Sequence, residues 1–203
     1  FIGSGNLAWH LAPALDNVGM VVREVYSRNP QHAEALTERL YQAEVKATLD
    51  FSTSDSRIFI ISVSDDAIQE IVREIILPDD AILVHTSGTQ PLSVLQFAAT
   101  PRLGVIYPLQ TFTKSRKVDF KKLPILVEGS DEETAKVLTV IMKEISTKVL
   151  PISSQERKAL HVAAVFASNF TNHMLTISRD IMTAHQLDYG LLTPLITETI
   201  EKS

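Results

Sequence analysis

Phe1-Ile2-Gly3-Ser4-Gly5-Asn6-Leu7-Ala8 opens the chain, and its reading decides the fold. Two apolar residues that look like the end of a strand run into the pattern G-x-G-x-x-A. An amphipathic run with Leu7, Leu11, Leu15 and Val18 on one face follows at once. The first glycine allows the tight turn from strand to helix, and the second lets the backbone approach a pyrophosphate. The small third residue, Ala8, lets the helix lie close to a sheet. Phosphate would rest on free N–H groups at the helix N-terminus, where the dipole favours negative charge. A lone glycine pattern is weak, since chance glycines in a tight turn give the same string. Here it follows a strand end and heads a repeated strand–helix pattern, which makes it a dinucleotide-binding turn. Gly3, Ser4, Gly5, Asn6 and Leu7 are the expected cofactor contacts at this turn.

Outward from the turn, short apolar runs alternate with helical runs. Strands are expected at Val21–Tyr26, around Val45, at Ile58–Val63, Ala81–His85, Leu103–Tyr107 and Ile125–Val127. Helices are expected over 7–18, 30–42, 65–76 and 131–147, with Asp65 or Asp66 capping the third. This order implies an α/β Rossmann domain with a parallel sheet and right-handed crossovers. Pro13 sits inside the first helix and deprives the Trp9 carbonyl of its donor, so a kink is expected there.

The end of the second strand selects the cofactor. NAD-binding chains usually place Asp or Glu about 20 residues after the turn. The corner here reads Tyr26-Ser27-Arg28-Asn29, with Glu24 earlier, inside the strand. A guanidinium forks onto phosphate oxygens, and Ser27 and Asn29 can donate beside it, so the corner favours NADP. Val63 and Ser64, at the end of the next strand, are expected near the cofactor ribose or nicotinamide.

After Pro151 the pattern changes. From Ser153 to about His185 there is no Gly, no Pro and no strand signal, which reads as a single helix of roughly 30 residues. A turn at Asp188-Tyr189-Gly190 and a helix starting at Thr193-Pro194 follow. The domains are therefore placed at 1–151, the NADP-binding Rossmann part, and 152–203, the start of an all-α part. The chain begins on Phe1 and ends within a helical run, so most of a first strand is expected upstream and the rest of the helical domain downstream.

Composition removes several classes of function. The 203 residues are 45% apolar and 21% charged with a net charge of −5, ordinary for a globular chain. The basic residues Lys114, Arg116, Lys117, Lys121 and Lys122 are spread over a loop-like stretch, so no nucleic-acid partner is expected. No apolar run reaches the ~18 residues of a membrane span. There is no cysteine, which removes thiolate chemistry and fits a cytoplasmic location. His10, His32, His173 and His185 lack metal-ligand spacing, and no metal is expected.

Three further segments carry a resemblance: His85-Thr86-Ser87-Gly88, Tyr107-Pro108-Leu109-Gln110-Thr111-Phe112, and His161-Val162-Ala163-Ala164-Val165-Phe166-Ala167-Ser168-Asn169. With the glycine turn, which is similar to that of pyrroline-5-carboxylate reductases and deazaflavin-dependent NADP oxidoreductases, they resemble a bacterial family of Rossmann-like proteins. That family is assigned as NADP oxidoreductases, and its C-terminal helical domain has no known function. The resemblance spans nearly the whole chain. It implies the 6-phosphogluconate-dehydrogenase-like architecture, a Rossmann domain followed by an all-helical dimerisation domain. It implies no substrate. Relatives in that superfamily that use a Lys-x-x-x-Asn pair on the long helix find no counterpart here, because Lys158 is followed four residues later by Val162.

At about 100° per residue, Lys158, His161, Ser168, Asn169, Asn172 and Thr176 share an arc of roughly 100° on a helix otherwise apolar. A buried polar seam needs partners. It either faces a cofactor-lined cleft or bonds to another helix or a dimer mate. In the cleft reading His161 is the proton donor, since its ordinary pKa lies near neutrality, with Lys158 and Asn172 as further catalytic candidates. Ser87, Pro108, Ser168 and Asn169 then line the substrate pocket. The leading expectation is an NADP-dependent reductase of a small carbonyl, imine or deazaflavin, working as a homodimer. Its rival is a non-catalytic NADP-binding dimeric sensor or scaffold.

Overall fold

The computed structural model describes residues 1–202. It forms two compact units, Phe1–His161 and Val162–Ser203. The first ten residues after Pro151 thus belong with the α/β unit.

In the first unit, β1 (Glu24–Tyr26) pairs in parallel with β2 (Glu44–Lys46). A second run joins β3 (Ile58–Ile61), β4 (Ile82–His85), β5 (Arg102–Pro108), β6 (Ile125–Gly129) and β7 (Val149–Pro151) in that order. Ile2 bridges Tyr26 on one side and Ile61 on the other, both in parallel, and so links the two runs. From Phe1–Ile2 the chain moves to β1 and β2 on one side and returns to β3 on the other. The strand order therefore reverses at the glycine turn, the topological switch point where open α/β sheets bind ligands.

The strands alternate their side chains between two cores. Ile60, Ile82, Val84, Ile106 and Val127 pack with α1 (Asn6–Asp16), α2 (Pro30–Thr37) and α4 (Glu132–Lys143). Phe59, Ile61 and Leu83 face the other way, onto α3 (Asp65–Glu74) and the 3₁₀ turn Leu92–Leu95. Helices on both faces explain why these strands are near-continuous apolar runs.

Several expectations need correction. The sheet is parallel from β1 to β5, but β6 runs antiparallel to β5, and β7, an unexpected strand, pairs in parallel with β6. A strand buried on both faces reads the same in either direction, so its residues carry no sign of orientation. Neither Asp65 nor Asp66 caps α3. Ser64 holds the cap position without a side-chain bond, and Asp65 accepts instead from the Thr89 hydroxyl. The expected helix over 153–185 is α5 (Ser154–Ala164), a π-helical segment Val165–Phe170 and α6 (Thr171–Ala184). A π segment holds more residues per turn than an α-helix. An arc measured at a constant angle therefore does not run unbroken from Lys158 to Thr176.

Pro13 stands within α1 as expected. The Trp9 carbonyl it leaves without a helical donor accepts from the Arg39 guanidinium at 2.7 Å, and the same guanidinium lies 4.1 Å from the Trp9 ring centroid. An orphaned backbone acceptor is costly unless paired, and Arg39 supplies the pair from 30 residues away.

The second unit contains the π segment, α6, a 3₁₀ turn at Tyr189–Leu192 and α7 (Thr193–Glu201), with Pro194 in the first turn of α7. The Tyr189 hydroxyl donates to the Leu175 carbonyl at 3.2 Å and ties the turn to α6. None of its described side chains is buried. Phe166, Phe170, Met174, Ile177 and Ile181 are all exposed at helical spacing. Among the described residues no helix is long and apolar enough to cross a membrane.

Candidate functional site

A cavity of about 760 Å³ opens at the switch point, and its wall comes entirely from the first unit. At one end is the glycine turn. Gly3 has φ +104°, a conformation L side chains avoid. Its N–H donates to the Tyr26 carbonyl at 2.7 Å, and a Cβ there would stand 2.2 Å from the Ser62 carbonyl oxygen. Gly3 is therefore required by the close approach of the turn to β3. Gly5 is different. A Cβ on it would meet only Ser62 O, at 3.9 Å. No side chain caps α1, so the N–H groups of its first turn are open to an anion. Ser4, Asn6 and Leu7 complete this end of the wall.

Ser27, Arg28 and Asn29 line the same cavity at the end of β1, beside His32. The Asn29 side-chain oxygen accepts from Gln31 N–H at 3.0 Å and caps α2, which leaves its amide N–H groups for a ligand. Arg28 is exposed and has no ion pair among the described residues. The alternative acid, Glu24, is committed elsewhere. It is buried, accepts from the Ser54 hydroxyl and lies 3.6 Å from Lys46 Nζ.

Val63 and Ser64 line the middle. The far end is built by Thr86, Ser87 and Gly88 after β4, Tyr107 and Pro108 at the end of β5, and His161 on α5. Ser87 is buried, and its hydroxyl oxygen accepts from the N–H groups of Thr89 (3.1 Å) and Gln90 (3.0 Å). It shapes the loop as well as lining the wall. His85, fully buried beneath, accepts from Ser87 N–H through Nδ1 at 3.1 Å. Burial, and then the nearby Arg157 charge, push its pKa down to about 4 against the opposing pull of the Pro91 carbonyl and Asp65, so it is neutral at pH 7.

His161 and Tyr107 meet at this end, with Nδ1 and the phenol oxygen 2.8 Å apart. Burial raises the Tyr107 pKa, with Arg157 opposing, so the phenol keeps its proton. Lys158, also on α5, is exposed and is not part of the wall. Ser168, Asn169 and Asn172 lie in the second unit, the first two in the π segment and Asn172 in α6.

Two residues escaped the sequence reading. Arg157 is fully buried. Its guanidinium donates to the carbonyls of Ser87 (Nε, 3.2 Å) and Gln90 (2.5 Å) and pairs with Glu128 on β6. It lies one helical turn before His161, on the same face of α5. An arginine four residues before His161 was the available signal. Tyr107 carries no role in the sequence reading because its partner is 54 residues away.

The α/β sheet with its strand order reversed at a glycine turn, followed by helices, defines a Rossmann-like protein with the fold of NAD(P)-binding oxidoreductases. Residues 1–109 match the Rossmann-like domain family, and residues 123–203 match a domain of unknown function, DUF2520. A protein of Bacteroides fragilis described as a "putative NADP oxidoreductase" is 38% identical over 99% of this chain and 78% of its own, with a TM-score of 0.88. A Thermotoga maritima protein is 26% identical over 100% of this chain and 78% of its own, with a TM-score of 0.73. A reductive aminase of Aspergillus terreus, solved with NADPH and ethyl-5-oxohexanoate, shares the fold (TM-score 0.73) at 14% identity over 99% of this chain and 71% of its own. No curated protein matches the chain. The chain belongs to the Rossmann-like family whose C-terminal part is DUF2520.

Proposed function

We propose that this chain is a cytoplasmic NADP-dependent reductase acting on a small carbonyl, imine or deazaflavin. One observation carries the reading. A single cavity runs from an uncapped helix N-terminus, past an arginine with no ion pair among the described residues, to a histidine–tyrosine pair. Its volume falls in the range of small-molecule and cofactor sites. The NADP assignment of the Bacteroides fragilis relative points the same way.

In this reading Gly3, Ser4, Gly5, Asn6 and Leu7 hold the pyrophosphate. Arg28 forks onto the 2′-phosphate, and Ser27 and Asn29 donate beside it. Val63 and Ser64 run along the ribose toward the nicotinamide. The bound nicotinamide supplies the hydride chemistry, and His161 supplies the proton to the substrate atom that gains charge. Ser87 and Pro108 wall the substrate end. Lys158, on the same helix as His161, is a further catalytic candidate. The exposed row Val162, Phe166, Phe170, Met174, Ile177 and Ile181 supports a homodimer through the second unit, since an apolar patch of this extent marks an interface.

Calorimetric titration with both cofactors tests the cofactor assignment. NADP is expected to bind more tightly than NAD. Arg28→Ala removes charge-assisted hydrogen bonds worth about 1.5–3 kcal/mol, and should weaken NADP binding by roughly 10- to 100-fold while leaving NAD binding unchanged. Equal affinity for the two cofactors, or an unaltered NADP affinity in the variant, contradicts it.

A further inference from the structure

Tyr107 and His161 come from separate elements, the end of β5 and the middle of α5, yet three features hold them in one geometry. The first is direct. The phenol oxygen lies 2.8 Å from Nδ1, and the rings meet edge-on with centroids 5.9 Å apart. The second is Gly88. A Cβ there would sit 2.4 Å from His161 Nδ1 and 3.0 Å from Tyr107 Cε2, so only a hydrogen fits beside the pair. The third is Arg157. Its guanidinium binds the carbonyls of Ser87 and Gln90, on either side of the loop that carries Gly88, and so sets this face of α5 against that loop.

The direction of the bond follows from the two groups. A phenol O–H is a good donor and a poor acceptor, whereas the bare nitrogen of a neutral imidazole is a good acceptor. The phenol oxygen has no second partner among the described residues. Donation from phenol to Nδ1 satisfies both atoms, and it requires the imidazole proton to sit on Nε2. Nε2 has no protein partner among the described residues, and His161 lines the cavity.

We propose that Tyr107 is a positioning residue that locks His161 in its Nε2–H tautomer, so that the ring faces the cavity as a hydrogen-bond donor and selects a ligand bearing an acceptor there, a carbonyl or carboxylate oxygen. The proposal rests on the reductase reading for its use but not for its geometry. The lock exists before any cofactor or substrate enters. It also narrows the substrate: a ligand presenting only N–H donors at that position would face His161 donor to donor.

The tautomer is measurable in the full chain without ligand. Long-range ¹H–¹⁵N spectra of ¹⁵N-histidine-labelled protein, at a pH where the imidazole is neutral, separate the two tautomers. His161 is assigned by the signals lost in His161→Gln. The wild type should carry the proton on Nε2, with Nδ1 shifted as a hydrogen-bonded acceptor. Tyr107→Phe removes one oxygen and keeps the ring. It should lose the acceptor shift and populate both tautomers. Gly88→Ala removes no polar group but pushes a methyl against Nδ1, and should give the same loss. NADPH affinity is read on the wild type, since both substitutions lie at the end of the cavity assigned to the nicotinamide. A wild-type proton on Nδ1, or spectra unchanged in both variants, overturns the proposal. An intact lock in a protein that binds no NADPH would bear out the tautomer assignment and strike the reductase reading alone.

Discussion

Gly3→Ala is expected to abolish useful cofactor binding. Two independent effects act at this position. The backbone φ of +104° costs a non-glycine residue about 1–3 kcal/mol. The new Cβ would also lie 2.2 Å from Ser62 O, a backbone atom of the segment leaving β3, which cannot give way without moving the strand end. The turn must open, and the first-turn N–H groups of α1 swing off the phosphate position. Loss of NADPH affinity of at least about 100-fold is expected, equivalent to about 2.8 kcal/mol. Gly19→Ala is the control. Gly19 also has positive φ, +86°, but a Cβ there meets nothing within 4 Å. It should cost about 1 kcal/mol of stability and leave cofactor affinity alone. Urea unfolding and NADPH titration of both variants measure this. Equal loss of affinity in the two would mean that general destabilisation, and not the turn, controls binding.

Arg157→Leu is expected to cost about 3–5 kcal/mol of stability, the usual penalty for removing one member of a buried ion pair. Three close acceptors lose a donor at once, Glu128 and the carbonyls of Ser87 and Gln90, with the Ser154 hydroxyl oxygen a fourth at 3.5 Å. Glu128 keeps Ser154 N–H at 3.1 Å and the Ser154 hydroxyl at 2.8 Å, but its charge is left without a cation. Neutralising it should recover part of the loss, so Arg157→Leu with Glu128→Gln should be more stable than Arg157→Leu alone. Arg157→Lys should not substitute, since a single ammonium on a flexible stem cannot reproduce a planar fork serving three acceptors. Denaturant unfolding of the four-member cycle checks the coupling. A cost below about 1 kcal/mol, the level of a surface pair, contradicts the structural role assigned to Arg157.

Local signals were legible in the sequence, and long-range ones were not. The glycine turn, the Tyr26–Asn29 corner and the alternation of strands and helices depend on residues adjacent in the chain, and each lies where the sequence places it. The residues expected to contact a cofactor, from Gly3 to Ser64, line one cavity because the topology brings three strand ends to one switch point. What escaped depends on distant partners. Arg39 answers the carbonyl that Pro13 orphans. Tyr107 meets His161, and Arg157 meets Glu128. Nothing in the short run Val149-Leu150-Pro151 separates a strand from a loop before β6 is there to pair with it. The π segment left no mark either, because Val165–Phe170 is as compatible with an α-helix as with a wider turn.

A crystal structure of the chain with NADPH tests the central claim most directly. The account predicts the pyrophosphate on the N–H groups of the Gly3–Leu7 turn, the 2′-phosphate against Arg28, and the nicotinamide ring at the end of the cavity walled by Gly88, Tyr107 and His161. A nicotinamide pointing away from that end, or a 2′-phosphate with no contact to Arg28, would contradict it.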